Sequence, residues 1–261
     1  MNFFQTPEYL QIFRDNFCDQ KNIIDEVWEK VGDKLILLGM KPILGNQEVT
    51  DYAKMDIDKL PEGYKKIQLD YVREDSETYK RFGPGKPQEV SPYLDLPHTW
   101  GEYLDNLDRH YRKELKRKLK RLQETEYKIA EEDNLNEFIR LHRLSDPAKS
   151  KFMTEPMAKF FKQVYEAKVP GWKTALSFLK IEGKNTAAIM TFESETELWL
   201  YNSGYDPEFS YYSVGLLLKA LSIKQAIETG KKKYDFLRGN ERYKYELGAK
   251  DLQLYKIEIK F

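Results

Sequence analysis

The chain has 261 residues, and its 43 Lys plus Arg balance 43 Asp plus Glu, so the formal net charge is zero. A 41% hydrophobic and 14% aromatic content excludes a disordered or collagen-like chain, and the neutral balance removes any global electrostatic argument for nucleic acid or a membrane surface. The single cysteine, Cys18, excludes an internal disulfide and fits a reducing compartment. The length suffices for one large or two small domains, each with its own core.

Thr6-Pro7 reads as a helix start, a capping hydroxyl followed by proline at the first helical position. Leu35 to Met40 is an apolar run of strand length, and Leu69–Val72 and Tyr93–Leu96 are further strand candidates, separated by turn signals at Gly45-Asn46 and at residues 60–63. Gly83-Pro84-Gly85-Lys86-Pro87 superficially suggests a phosphate loop. It lacks the spacing, and Pro87 removes an N–H, so a surface turn is expected.

Leu104, Leu107, Tyr111, Leu115, Leu119 and Leu122 recur at three- and four-residue steps, which predicts one long helix. Between 109 and 121 its other faces carry eight cations (Arg109, Arg112, Lys113, Lys116, Arg117, Lys118, Lys120, Arg121) against one acid, Glu114. Like charges one turn apart repel, so a site for tRNA or another polyanion stands beside the plainer reading of a solvated face. Asn134 and Thr154 open two more amphipathic helices, and His142 falls on the apolar face of the first, as a buried histidine does.

Three strands follow, 174–181, 186–192 and 198–201, joined by turns too short for anything but an antiparallel meander. Val214 to Thr229 is apolar nearly all round and therefore a buried helix, closed by Gly230 and Lys231–Lys233. It is interrupted by Lys219 and Lys224, so no membrane span is expected, and the N-terminal residues carry no signal of export. Tyr234–Leu237 and Leu252–Ile259 are the last strands.

Three histidines and one cysteine cannot build a zinc site of the usual kind, and no H-E-x-x-H, C-x-x-C or G-x-S-x-G occurs. The expected chemistry therefore rests on acid/base groups and oriented backbone amides, with no metal. The informative junction is the strand ending at Asn202-Ser203-Gly204 and the helix beginning near Ser213-Val214-Gly215-Leu216, because the first turn of a helix offers unpaired N–H groups to phosphate oxygens. Ser213 as a simple N-cap is the plainer alternative.

Tyr234-Asp235-Phe236-Leu237-Arg238-Gly239-Asn240-Glu241-Arg242-Tyr243-Lys244 resembles the Y-D-F-x-R-G-(D/N)-E-x-Y-K signature of the CelD-like cellulose-biosynthesis acetyltransferases, a family of the GNAT acyl-CoA N-acyltransferase superfamily. Gly204–Pro207, Ser213–Leu217 and Ser91–Pro97 are similar to its other elements. The resemblance covers residues from about 90 to 261. It implies an α/β mixed-sheet GNAT fold in which two parallel strands, here 198–202 and 234–237, splay to admit the pantetheine arm of acetyl-CoA or another acyl-CoA.

It further implies an amide near Asn202 or Ser203 polarising the thioester carbonyl, Ser213, Val214, Gly215 and Leu216 around the pyrophosphate, and Arg238 as a fork for phosphate or carboxylate. An ion pair of Arg238 with Asp235, Asp206 or Glu241 is the alternative. Asp206 or Glu241 would take the proton of an attacking amine, and Tyr243 is equally a general acid or a packing residue. One departure is plain: the common (Q/R)-x-x-G-x-(G/A) pattern has Tyr212 and Leu217 at its flanks here.

Tyr243–Gly248 is also similar to the F-K-x-x-F-G-like stretch of FemAB-like aminoacyl-tRNA transferases, in which Lys244 would neutralise an oxyanion or donor phosphate and the basic helix would meet tRNA. The expected plan is a smaller degenerate GNAT-like half at 1–97 and a bridging helix plus complete GNAT domain at 98–261. The expected activity is cytoplasmic acyl transfer to an amine, on a sugar or cell-envelope (exopolysaccharide) precursor. Aminoacyl transfer and an inactive GNAT-fold binding module are the alternatives.

Overall fold

A computed structural model describes residues 2–24, 28–37 and 64–260. The turn signals at 45–46 and 60–63 and the end of the apolar run at 38–40 lie outside the described residues. Two six-stranded mixed sheets carry the described fold. The first runs from edge to edge as β1 (Ile23–Ile24), β2 (Trp28–Val31), β3 (Lys34–Leu37), β4 (Lys66–Arg73), β12 (Gln253–Lys260) and β5 (Lys86–Val90). The second runs as β6 (Tyr93–Asp95), β11 (Lys233–Asp235), β10 (Glu197–Tyr205), β9 (Lys184–Glu193), β8 (Lys173–Ile181) and β7 (Tyr127–Glu131).

The two sheets share a plan. Each holds one parallel pair, β3 with β4 and β10 with β11, among antiparallel neighbours. They do not divide at residue 97/98: β6 completes the second sheet by pairing with β11, and β12, the last strand of the chain, lies between β4 and β5 in the first. The halves are tied together by this exchange of strands.

The helices are α1 (Pro7–Phe17), α2 (Glu77–Phe82), α3 (Trp100–Asn106), α4 (Arg109–Gln123), α5 (Leu135–Leu144), α6 (Pro147–Phe152), α7 (Glu155–Glu166), α8 (Val214–Glu228) and α9 (Arg242–Glu246). Where the pattern predicts one helix over 104–122 there are two, because Leu107 is extended and the Asp108 carboxylate accepts the His110 N–H at 2.8 Å, starting α4 afresh. The presumed turn at 83–87 also differs: Lys86 onward forms edge strand β5, where Pro87 is tolerated because one side of an edge needs no donor.

The meander holds. Its first turn, Glu182-Gly183, has φ of 51° and 78°, both in the left-handed region that a two-residue hairpin demands. One face of the second sheet packs on α5, α7 and the N-terminal segment, where the Phe3 and Phe192 rings stack with centroids 3.7 Å apart. The other face packs on α3, α4 and α8. Covered on both faces, β9 is a continuous buried run.

Gly204 of β10 is the tightest contact beneath the site. A Cβ there would lie 2.3 Å from the His142 amide nitrogen and 2.4 Å from the Leu141 carbonyl carbon, so α5 sits directly on the strand backbone. Gly204→Ala must push α5 outward. We expect a loss of roughly 2 kcal/mol or more in chemical denaturation, with the fold class unchanged by circular dichroism.

Candidate active site

β10 and β11 pair in parallel at Glu197/Lys233, Leu198/Tyr234 and Trp199/Asp235, and there the pairing stops. β10 continues to Tyr205 against β9, with a register shift that leaves Tyr201 between the paired residues Leu200 and Asn202. β11 ends because Asp235 turns the chain. Its Oδ1 accepts the Leu237 N–H at 2.8 Å and the Ser91 hydroxyl at 3.3 Å, its Oδ2 lies 3.5 Å from Arg73, and Leu237 adopts φ 57°. Asp235 is 1% exposed, and burial pushes its pKa upward. The parting expected over 198–202 and 234–237 begins later along the strands, since 198/234 and 199/235 are still paired and the strands separate only beyond them.

Beyond the turn, the segment is gathered by Lys244. Its ammonium donates to the carbonyls of Leu237 (3.0 Å), Arg238 (3.1 Å) and Gly239 (2.9 Å) and pairs with Glu241 at 2.9 Å. Lys244 is 0% exposed, and burial depresses its pKa against the opposing pull of Glu241. Gly239 is required here: its φ is 111°, and a Cβ would meet the Glu241 carboxylate at 2.6 Å.

Between β10 and this segment opens a cleft of about 340 Å³. It is lined by Leu200 to Ser203 of β10, by Glu241 and Tyr243, and by His142, Ala148, Lys149 and Phe152 of α5 and α6. Tyr243 keeps its proton, since burial and the neighbouring Glu241 raise its pKa. His142 is fully buried, and its Nε2 is 3.0 Å from Asn202 Oδ1. That oxygen also accepts the Ser203 N–H at 3.0 Å, which assigns the His142 proton to Nε2. Burial, with Lys149 nearby, lowers its pKa to about 3.

The structure sorts the expected site residues. Glu241, Tyr243, Asn202 and Ser203 meet at the cleft. The Ser203 N–H is already taken by the Asn202 side chain. Asp206 does not line the cleft; its carboxylate accepts the Glu208 N–H and caps the short 3₁₀ turn at Pro207–Tyr212. Arg238 bonds to Glu89 at 2.9 Å and to the Tyr71 hydroxyl at 3.0 Å, so its pair is with neither Asp235, Asp206 nor Glu241, and it faces the first sheet. Lys244 spends its donors on the loop.

Ser213 occupies the cap position of α8 with φ 56°, but its hydroxyl makes no cap bond, so the N-cap reading fails in its chemistry. The first bonds within α8 run from Leu216 and Leu217 to the Ser213 carbonyl, so the Val214 and Gly215 amides stand ahead of the helical ladder. Gly215 packs on Tyr205, which a Cβ would meet at 3.0 Å. Leu217 points into the core with 0% exposure and does not obstruct the helix tip. The residues present thus fit a phosphorylated donor at this tip.

Two lysines that the sequence does not mark as site residues join the site, Lys219 standing in the sequence only as an interruption of an apolar helix. Lys219 of α8 is 6% exposed; its ammonium donates to the Gly215 carbonyl at 3.0 Å and lies 4.6 Å from the centre of the Tyr243 ring. Burial, with Lys149 and Lys244 adding to it against Glu241, lowers its pKa to about 7. Lys149 of α6 donates to the Ser203 carbonyl at 2.5 Å and is likewise depressed, mainly by burial. A lysine inside an otherwise apolar helix is the signal that could have flagged Lys219.

Residues 109–245 match the Acetyltransferase (GNAT) domain family, and the chain belongs to it. It is a GNAT-family acyltransferase, a family that implies an acyl-CoA donor. The fold is similar to a crystal structure of FemX (13% identity, TM-score 0.63, 90% of this chain and 83% of that one). It is also similar to the C-terminal DUF2156 domain of an Agrobacterium fabrum protein (10%, 0.57, 88% and 78%). A Bacteroides thetaiotaomicron protein of unknown function gives 12% identity and a TM-score of 0.55 over 99% of this chain and 92% of that one. At such identities the likeness shows the fold, a tandem GNAT-like arrangement of two mixed sheets. No curated protein matches the chain. Among the described residues no helix is long and apolar enough to cross a membrane.

Two stability measurements follow from these environments. Lys244→Met would leave three carbonyls and the Glu241 carboxylate without their cation, and we expect a loss of about 3–5 kcal/mol in urea denaturation. For His142 the folded state stays neutral down to about pH 3, whereas an unfolded histidine protonates near its ordinary value of 6.5. The unfolded chain therefore binds more protons in that window, so stability falls as pH drops from about 6.5 toward 3, by up to about 1.4 kcal/mol per pH unit from this group. His142→Gln should flatten that part of the stability–pH curve measured by denaturation at several pH values.

Proposed function

We propose that the chain moves an acyl group, acetyl in the simplest case, from acyl-CoA to an amine. The observation that carries this reading is the parting of β10 and β11 beyond Trp199/Asp235, with the cleft in the gap and Lys219 joining the Gly215 carbonyl at the tip of α8 to the Tyr243 ring of the cleft wall. The pantetheine arm would lie between the two strands, and the Val214 and Gly215 amides would face the pyrophosphate. An amide near Tyr201 or Asn202 would donate to the thioester oxygen as negative charge develops on it.

The amine nitrogen forms a bond to the carbonyl carbon, the carbon–sulfur bond breaks, and the sulfur leaves with the electron pair. The proton lost from nitrogen passes to Glu241, directly or through water. The phenol of Tyr243, held protonated, can supply a proton to the departing sulfur. Lys244 positions Glu241 and the loop; it is not placed to touch substrate. The CelD-like signature favours an amine on a sugar or cell-envelope precursor, and an acyl-CoA donor puts the reaction in the cytoplasm.

A second reading, aminoacyl transfer from tRNA, is favoured by the surface of α4, where Lys113, Lys116 and Lys120 are exposed. It predicts tRNA binding that weakens steeply with salt; salt-independent or absent binding removes it.

For acyl-CoA the expected result is calorimetric binding of acetyl-CoA that Gly215→Trp abolishes. Glu241→Gln should keep the binding and slow release of free CoA thiol by about 10²- to 10⁴-fold. Binding unaffected by Gly215→Trp, or turnover unaffected by Glu241→Gln, contradicts the assignment.

A further inference from the structure

The charges around the cleft do not balance. Lys149 lines it, Lys219 lies behind the Tyr243 ring and Lys244 within the loop that carries Glu241, and each has its pKa depressed by burial. Facing them is Glu241, already paired with Lys244 at 2.9 Å. Asp146, whose carboxylate also accepts the Ala148 N–H as the cap of α6, and Glu241 both act on Lys149 and partly offset the three cations. Arg143 is paired with Glu155 and His142 is neutral, so neither adds an unpaired cation there.

The three lysines are not equivalent. Lys244 is spent on its loop, and Lys219 lies behind the Tyr243 ring. Lys149 is the lysine of the cleft wall among the described residues, and one of its three N–H donors goes to the Ser203 carbonyl. A half-buried ammonium on the lining of a cavity, with N–H donors beyond the one given to Ser203, is better satisfied when an anion enters the cavity and meets it.

We propose that the cleft takes a substrate bearing a carboxylate, held by the Lys149 ammonium beside Ser203, and that the acceptor supplies it: an amine carrying its own carboxylate, of the amino-acid or acidic amino-sugar class. This rests on the acyl-transfer reading and narrows it. A polyamine would add positive charge to a positive site and is excluded. An amine whose carboxylate is neutralised at Lys149 is admitted, and the surrounding cations lower its pKa, favouring the neutral nitrogen that attacks. The bonds formed and broken are those of the acyl transfer above. The carboxylate takes no part in them.

The test uses the whole chain with acetyl-CoA and pairs of amines that differ in one group: a free amino acid, its C-terminal amide, and a polyamine. The free acid should exceed the amide in kcat/KM by about 10- to 100-fold, the range of a charge-assisted hydrogen bond. Lys149→Met should erase that preference through KM, Lys149→Arg should restore it, and acetyl-CoA binding by calorimetry should be unchanged in both. Equal use of acid and amide, or equal loss of both in Lys149→Met, overturns the proposal.

A second arm compares succinyl-CoA with acetyl-CoA. If Lys149→Met abolishes a preference for the succinyl donor instead, the carboxylate belongs to the acyl chain and the acceptor assignment is overturned. Calorimetry with an N-acetyl amino acid and its amide reads the same contact without turnover. Tighter binding of the free acid, lost in Lys149→Met, supports the contact even if acyl-CoA is not the donor, and no difference overturns it.

Discussion

The ammonium of Lys244, shut away from solvent among the carbonyls of Leu237, Arg238 and Gly239 and the Glu241 carboxylate, holds the loop after β11 in place. Without that cation, three carbonyls would converge with nothing to accept from, and the loop would have no reason to fold back on itself. With it, the chain turns away from β10 immediately after Asp235. The same pull delivers Glu241 and Tyr243 to the cleft that Leu200–Ser203 also line. The opening between the strands is thus the product of a buried charge, and the site is its consequence.

That loop is braced from the other half of the molecule. Asp235 reaches Arg73 of β4 and Ser91 ahead of β6, and Arg238 crosses to Glu89 and Tyr71. Since β12 also runs between β4 and β5, the N-terminal half is part of the scaffold that sets the geometry of the cleft. The polar residues of the Y-D-F-x-R-G stretch therefore work mainly as ties between the sheets, with Glu241 and Tyr243 as the members that reach the cleft.

Much of the second sheet was legible because periodicity is local. The meander, the buried α8 and the caps at Thr6, Asn134 and Thr154 follow from residue spacing alone, and each cap bond is present. Partner choice is not local, so the placement of β6 and β12 in sheets other than those of their sequence neighbours could not be read. Edge strand β5, with Lys86, Pro87 and Glu89, has no apolar alternation to announce it. In the site, Glu241 and Tyr243 were visible through their motif. Lys149 was not, because its position depends on a six-residue helix meeting a carbonyl 54 positions away. The ion pair of Arg238 with Glu89 was not legible either, since Glu89 comes from a strand with no apolar alternation.

A donor held in the gap between β10 and β11 would shield both of its walls from solvent. Amide hydrogen exchange with and without acetyl-CoA tests it residue by residue. Added protection is expected at Leu200–Ser203 and at Val214–Gly215 together, the two segments that the donor would bridge. Bound acetyl-CoA that leaves both segments exchanging as before, with protection confined elsewhere, would contradict it.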